Sequence, residues 1–87
     1  MLSEQAEQTT ILYGTPWCGD CRRSRRFLEN KGIAYTYIDI ETDPAATAEV
    51  ERLNGGYQSV PTIVFPDGSV LVEPSNRDLA SKLGIAA

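Results

Sequence analysis

"TPWCGDCRRSRRF", residues 15–27, holds both cysteines of an 87-residue chain, Cys18 and Cys21, together with four of its eight basic residues. The segments on either side decide how it folds. "TTILYG" (9–14) is a run of β-branched and aromatic residues ending in glycine, the pattern of a short buried strand. From about Cys18 to Lys31, Cys21, Ser24, Phe27 and Leu28 fall on one side of a helix and the arginines on the other, until Gly32 stops it. "IAYTYIDI" (33–40) alternates as a second strand. A strand, a helix and a strand joined by short turns imply a right-handed crossover with the two strands parallel.

The remainder completes one α/β domain. "DPAATAEVERLNGG" (43–56) opens with Asp43 as N-cap and Pro44 at the first helical position, and Gly55 stands as its stop. "PTIVF" (61–65) and "SVLVE" (69–73) flank a "PDG" turn and read as an antiparallel hairpin. "PSNRDLASKLGI" (74–85) carries a Ser or Asn cap, Leu79 and Leu83 at helical spacing, and Lys82 near its end. The order predicts a four-stranded mixed sheet flanked by three helices over residues 9–87, preceded by a short frayed tail, residues 1–8.

Composition limits the function. With 41% hydrophobic and 23% charged residues the chain is globular in character, and it has no apolar run near the roughly 20 residues of a membrane span. The N-terminal "MLSEQAEQTT" has neither the basic start nor the apolar run of a secretion signal, so a soluble, cytoplasmic monomer is expected. A net charge of −4 argues against nucleic acid as a partner. Arg22, Arg23, Arg25 and Arg26 are a local exception. They read first as a solvated helix face and second as a patch steering anionic thiols or an acidic protein.

Two cysteines without any histidine cannot make a four-ligand zinc site. A structural disulfide over so short a loop removes little chain entropy, and a cytosolic compartment keeps it reduced. Redox chemistry remains. Cys18, at the turn from strand to helix, meets unpaired backbone N–H groups and the positive end of the helix dipole, both of which favour thiolate. Cys21, one turn into the helix on the same side, is close enough to bond with it but more buried. Cys18 therefore reads as the nucleophile and Cys21 as the resolving thiol. Asp20 opposes thiolate formation while Arg22 and Arg23 favour it, and the balance is open. In "SVPT" (59–62), Pro61 beginning a strand in a chain with such a cysteine pair suggests a cis Val60–Pro61 bond that leaves the Val60 backbone free for a peptide-like substrate. Trp17 reads equally as a shield over the thiolate or as core packing, whereas for Tyr13 and Tyr57 packing is the first reading.

"WCGDC", "SVPT", the order of elements and the length together resemble a glutaredoxin, within the thioredoxin superfamily, over about residues 9–85. The resemblance implies a thioredoxin-like fold, a reactive Cys18, a resolving Cys21, a cis Pro61 and a substrate-binding Val60 backbone. Glutathione-using members usually have Pro-Tyr or a similar pair where this chain has Gly19 and Asp20. They also carry a Gly-Gly and acidic pair at the final helix, where this chain reads "VEPSNRDL" (72–79). "NGG", "SVPT", "FPDGS" and "EPSN" are more similar to the mycoredoxins, glutaredoxin-like proteins that reduce mixed disulfides of mycothiol, although Asp20 stands where they have an aromatic residue. On that resemblance Ser75 and Asn76 are candidates for holding the polar end of a thiol, or are an ordinary helix cap.

The expected activity is thiol-disulfide exchange on protein mixed disulfides through Cys18-x-x-Cys21, with no bound cofactor or metal and mycothiol or glutathione as co-substrate. One alternative is a dithiol electron donor recharged by a thioredoxin-type reductase, for example toward ribonucleotide reductase. Another is a module holding an iron-sulfur cluster between subunits through Cys18.

Overall fold

The two central strands carry the site. In the computed structural model, which describes residues 9–87, β1 (Thr10–Gly14) runs parallel to β2 (Tyr35–Asp39) and antiparallel to β3 (Thr62–Val64). β3 pairs in turn with β4 (Val70–Val72), giving the order β2-β1-β3-β4. The expected tail, residues 1–8, lies outside the described residues. This is the four-stranded mixed sheet with three helices read from the sequence.

Alternation along the strands sorts the core into two layers. On one face Leu12 and Ile63, paired across β1 and β3, pack with Phe27 and Leu28 of α1 (Gly19–Asn30) and Leu79 and Ala80 of α3 (Asn76–Leu83). On the other, Tyr13 joins Ile40 and the Ala46 and Val50 of α2 (Pro44–Leu53). Leu12, Leu28, Val50, Ile63 and Leu79 are fully buried, and each contributes about 1.5–3 kcal/mol on removal from water.

Element ends follow local chemistry. Asp43 caps α2 by accepting the Ala46 N–H at 3.1 Å, and the helix ends at Leu53 with Asn54 as C-cap, so Gly55 stands just past the cap as its stop. Gly55 takes a left-handed φ of 64°, and the Gly56 N–H closes the end of the helix by donating to the Glu51 carbonyl at 2.7 Å. β2 ends before Ile40. There Asp39 accepts the Glu41 N–H at 2.9 Å and starts a 3₁₀ turn over Ile40–Thr42 that simple alternation did not announce. In the hairpin Lys82 of α3 bonds Asp67 at 2.6 Å, fastening the turn to the helix and holding the Asp67 carboxyl well below the usual range. No helix among the described residues is long and apolar enough to cross a membrane.

Candidate active site

Cys18 is the N-cap of α1. An N-cap side chain ordinarily accepts a backbone N–H from the first turn with an oxygen. Here sulfur takes that place, and the Cys21 N–H donates to Cys18 Sγ at 3.1 Å. Cys18 is half-buried, with its thiol 4.0 Å from the Val60 carbonyl. Cys21 has no exposed surface. Burial pushes its thiol up to about 12; its hydrogen bond to Cys18 acts in the same direction and a backbone hydrogen bond at Thr15 opposes them. Gly14, at the end of β1, makes room for this thiol, because a Cβ there would stand 2.8 Å from Cys21 Sγ.

The Val60–Pro61 peptide bond is cis and Pro61 is fully buried. Behind it the buried Thr62 hydroxyl donates to the Ser59 carbonyl at 2.7 Å and accepts from Asn54 Nδ2 at 2.9 Å, which ties the loop before β3 to the end of α2. Among the described residues Val60 takes part in no backbone–backbone hydrogen bond, which leaves its N–H without a backbone partner and its carbonyl facing the Cys18 thiol.

Trp17 is 66% exposed, which removes the core-packing reading. Its Nε1 donates to Glu41 Oε2 at 2.7 Å. The two side chains wall a cleft of about 430 Å³ whose other lining residues are Thr15, Ile40, Thr47, Gln58 and Val60. Val60 thus belongs both to the cleft and to the contact with Cys18.

The family model named glutaredoxin matches residues 10–71. The chain belongs to the glutaredoxin family. A Mycobacterium tuberculosis protein named as a glutaredoxin is 44% identical over 72 residues, covering 83% of this chain and 86% of that one. Mycoredoxin 1 of Corynebacterium glutamicum is 32% identical over 72 residues, with 83% and 89% covered. The crystal structure of a thioredoxin-like protein superposes with a TM-score of 0.80 at 29% identity, covering 91% of this chain and 99% of the other. The fold is therefore the thioredoxin-like fold of glutaredoxins.

In this glutaredoxin the remaining candidates divide. Ser75 is the N-cap of α3, and Asp78 occupies both its polar groups: the Asp78 N–H donates to Ser75 Oγ at 3.0 Å and the Ser75 N–H to Asp78 Oδ2 at 3.1 Å. Asn76 Oδ1 is buried without a partner. Asp20 is answered by Arg23, 2.8 Å away and exposed, which also donates to the Pro74 carbonyl at 3.1 Å and so joins the start of α1 to the turn before α3. Arg22 donates to the Pro16 carbonyl at 2.9 Å. Arg25 stacks 3.9 Å over the Tyr37 ring and donates to the Tyr35 hydroxyl at 3.2 Å. Much of the arginine patch thus holds local structure.

Tyr13 packs in the core, whereas Tyr57 is 73% exposed beyond the glycine pair, against the packing expected of it. Glu41, Gly14 and the Thr62–Asn54 pair were not singled out from sequence. Their positions depend on the 3₁₀ turn and on contacts between distant segments, for which the chain carries no local pattern.

Proposed function

We propose that this glutaredoxin reduces mixed disulfides between proteins and a low-molecular-weight thiol, mycothiol in preference to glutathione. The observation that carries the reading is the Cys18 sulfur at the N-cap, between the Cys21 N–H and the open Val60 backbone, with a buried thiol one turn below. The Cys18 thiolate attacks the sulfur of the small thiol in the mixed disulfide. A Cys18–thiol disulfide forms as the original S–S bond breaks, and the released protein thiolate takes up a proton. A second molecule of the same thiol attacks that new disulfide at the small-thiol sulfur, leaving as a symmetrical disulfide and freeing Cys18. The protein gains two electrons, and the two small thiols are left oxidised. Resemblance to mycoredoxin 1 supports mycothiol, and so does the α3 N-terminus, where the Asp78 carboxylate already fills the cap.

Cys21 supports a second route, because it lies directly below Cys18. Its attack on the Cys18 mixed disulfide would release the small thiol and leave a Cys18–Cys21 disulfide for a reductase to recharge. The hydrogen bond from Cys21 to a Cys18 thiolate no longer exists once that sulfur is in a disulfide, and one of the causes raising the Cys21 thiol goes with it. The test uses one protein carrying mycothiol or glutathione as a mixed disulfide, with the matching free thiol as reductant. Cys18→Ser should reduce turnover to background, whereas Cys21→Ser should keep it within about threefold of the parent. Loss of turnover in Cys21→Ser would assign the activity to the dithiol route, and faster turnover with glutathione would overturn the choice of thiol.

A further inference from the structure

The cleft beside Cys18 has one charged side chain, the Glu41 carboxylate, and several of its polar neighbours have donors already engaged. Trp17 Nε1–H is spent on Glu41 at 2.7 Å, and the Thr47 hydroxyl donates to the Ile40 carbonyl at 2.6 Å. The Gln58 amide nitrogen donates to Glu51 Oε2 at 2.7 Å. Among the acceptors these side chains leave open are the second carboxylate oxygen of Glu41 and the amide oxygen of Gln58. The Thr15 hydroxyl, in the same lining, is buried and has no partner at all. Glu41 is the one formal charge of the lining, and Ile40, Val60 and an exposed indole face supply its apolar part.

A side chain with an aliphatic stem and a donor-only cationic head matches such a surface. The stem lies over apolar wall while the head meets the carboxylate and the indole face. A carboxylate would meet a charge of its own sign in Glu41, the one formal charge of the lining. Position supplies the link to catalysis. Val60 lines the cleft and its carbonyl lies 4.0 Å from Cys18 Sγ, so an extended peptide that pairs with the Val60 backbone and presents its cysteine to Cys18 sends a neighbouring side chain over the cleft.

We infer that this cleft binds a lysine or arginine flanking the disulfide cysteine of a protein substrate, and that Glu41 sets that specificity. The inference rests on Cys18 being the attacking thiol, as proposed above. Its test uses three synthetic peptides, identical except that both residues flanking one cysteine are Lys, Gln or Glu. Each is blocked as a mixed disulfide with 2-mercaptoethanol, so that the small thiol carries no charge. The second-order rate of disulfide exchange with the reduced protein is followed at low ionic strength by quenching and mass spectrometry.

The Lys peptide should react faster than the Gln peptide and the Glu peptide slowest, with about a 10-fold span between the extremes that shrinks as salt is added. Glu41→Gln keeps an acceptor for Trp17 Nε1 and removes the charge, so the span should fall to about twofold or less; Glu41→Lys should invert the order. Equal rates for the Lys and Glu peptides in the parent protein overturn the inference. So does a span that Glu41→Gln leaves unchanged. No exchange with the Gln peptide, by a protein whose thiols still titrate, overturns instead the assignment of Cys18 as nucleophile, and this inference falls with it.

Discussion

Gly14 and Cys21 are in a packing relationship that only hydrogen at position 14 satisfies, because a Cβ there would lie 2.8 Å from Cys21 Sγ and 3.2 Å from its Cβ. A methyl group must therefore push the Cys21 side chain or the start of α1 away from the sheet. Gly14→Ala is expected to cost about 1–3 kcal/mol by overpacking, read as a lower denaturation midpoint in urea at unchanged slope. Closure of the Cys18–Cys21 disulfide should slow more than the reaction of Cys18 with a small disulfide, since only the former needs Cys21 in place. A variant as stable as its parent would show that the thiol relaxes at no cost.

The Cys21 thiol gives a pH prediction with a definite sign. Its folded value, pushed to about 12 by burial and by Cys18, lies above the ordinary 9.0 that it regains on unfolding. In that interval the unfolded chain binds fewer protons than the folded one, so stability is complete below pH 9 and falls as pH rises toward 12. The slope due to this group approaches about 1.4 kcal/mol per pH unit. Tyr13, Tyr35 and Tyr37, also raised by burial, slope the same way. Denaturation of reduced parent and Cys21→Ser protein across this range cancels the tyrosines, and the difference between the two curves should steepen with pH.

Thr62 is a third point of leverage. Its hydroxyl links Asn54 at the end of α2 to the Ser59 carbonyl in the loop that presents Val60. Thr62→Val keeps the volume and removes the link, leaving an amide donor and a carbonyl without their partner. The expected loss is about 1–3 kcal/mol. Since the loop also positions the Val60 backbone, KM for a peptide disulfide should rise by a larger factor than kcat falls. Equal changes in both would separate Thr62 from substrate positioning.

These cases show which parts of the structure a linear reading reaches. The cysteine pair, the strand before it and the helical spacing of Phe27 and Leu28 are local patterns, and they led directly to the fold and to two thiols in unlike surroundings. Pro61 was legible because a proline that opens a strand is a local pattern, and the presence of the thiol pair in the same chain gave it a role. Glu41 was not, since its approach to Trp17 spans 24 residues and depends on a 3₁₀ turn hidden within an alternating stretch. Gly14 read only as the end of a strand, because its packing role exists only once Cys21 lies across β1. Trp17 faced two readings of equal standing until the fold left its ring outside the core.

Ser75 allows a structural role to be separated from a binding role. Its hydroxyl accepts the Asp78 N–H at 3.0 Å while its own N–H is taken by Asp78 Oδ2, so both polar groups are engaged within the capping box of α3. Ser75→Ala leaves the Asp78 N–H without its cap and should cost about 1 kcal/mol, whereas Ser75→Asp restores an acceptor and should recover most of the loss. If capping is all that Ser75 does, KM for the small thiol will be the same in the parent and in Ser75→Ala at a temperature where both are folded. A rise in KM with Ser75→Ala that Ser75→Asp leaves in place, while stability returns, would instead place the hydroxyl on the thiol. Asn76 is the control, because its Oδ1 is buried and without a partner: Asn76→Ala should leave KM for the small thiol unchanged.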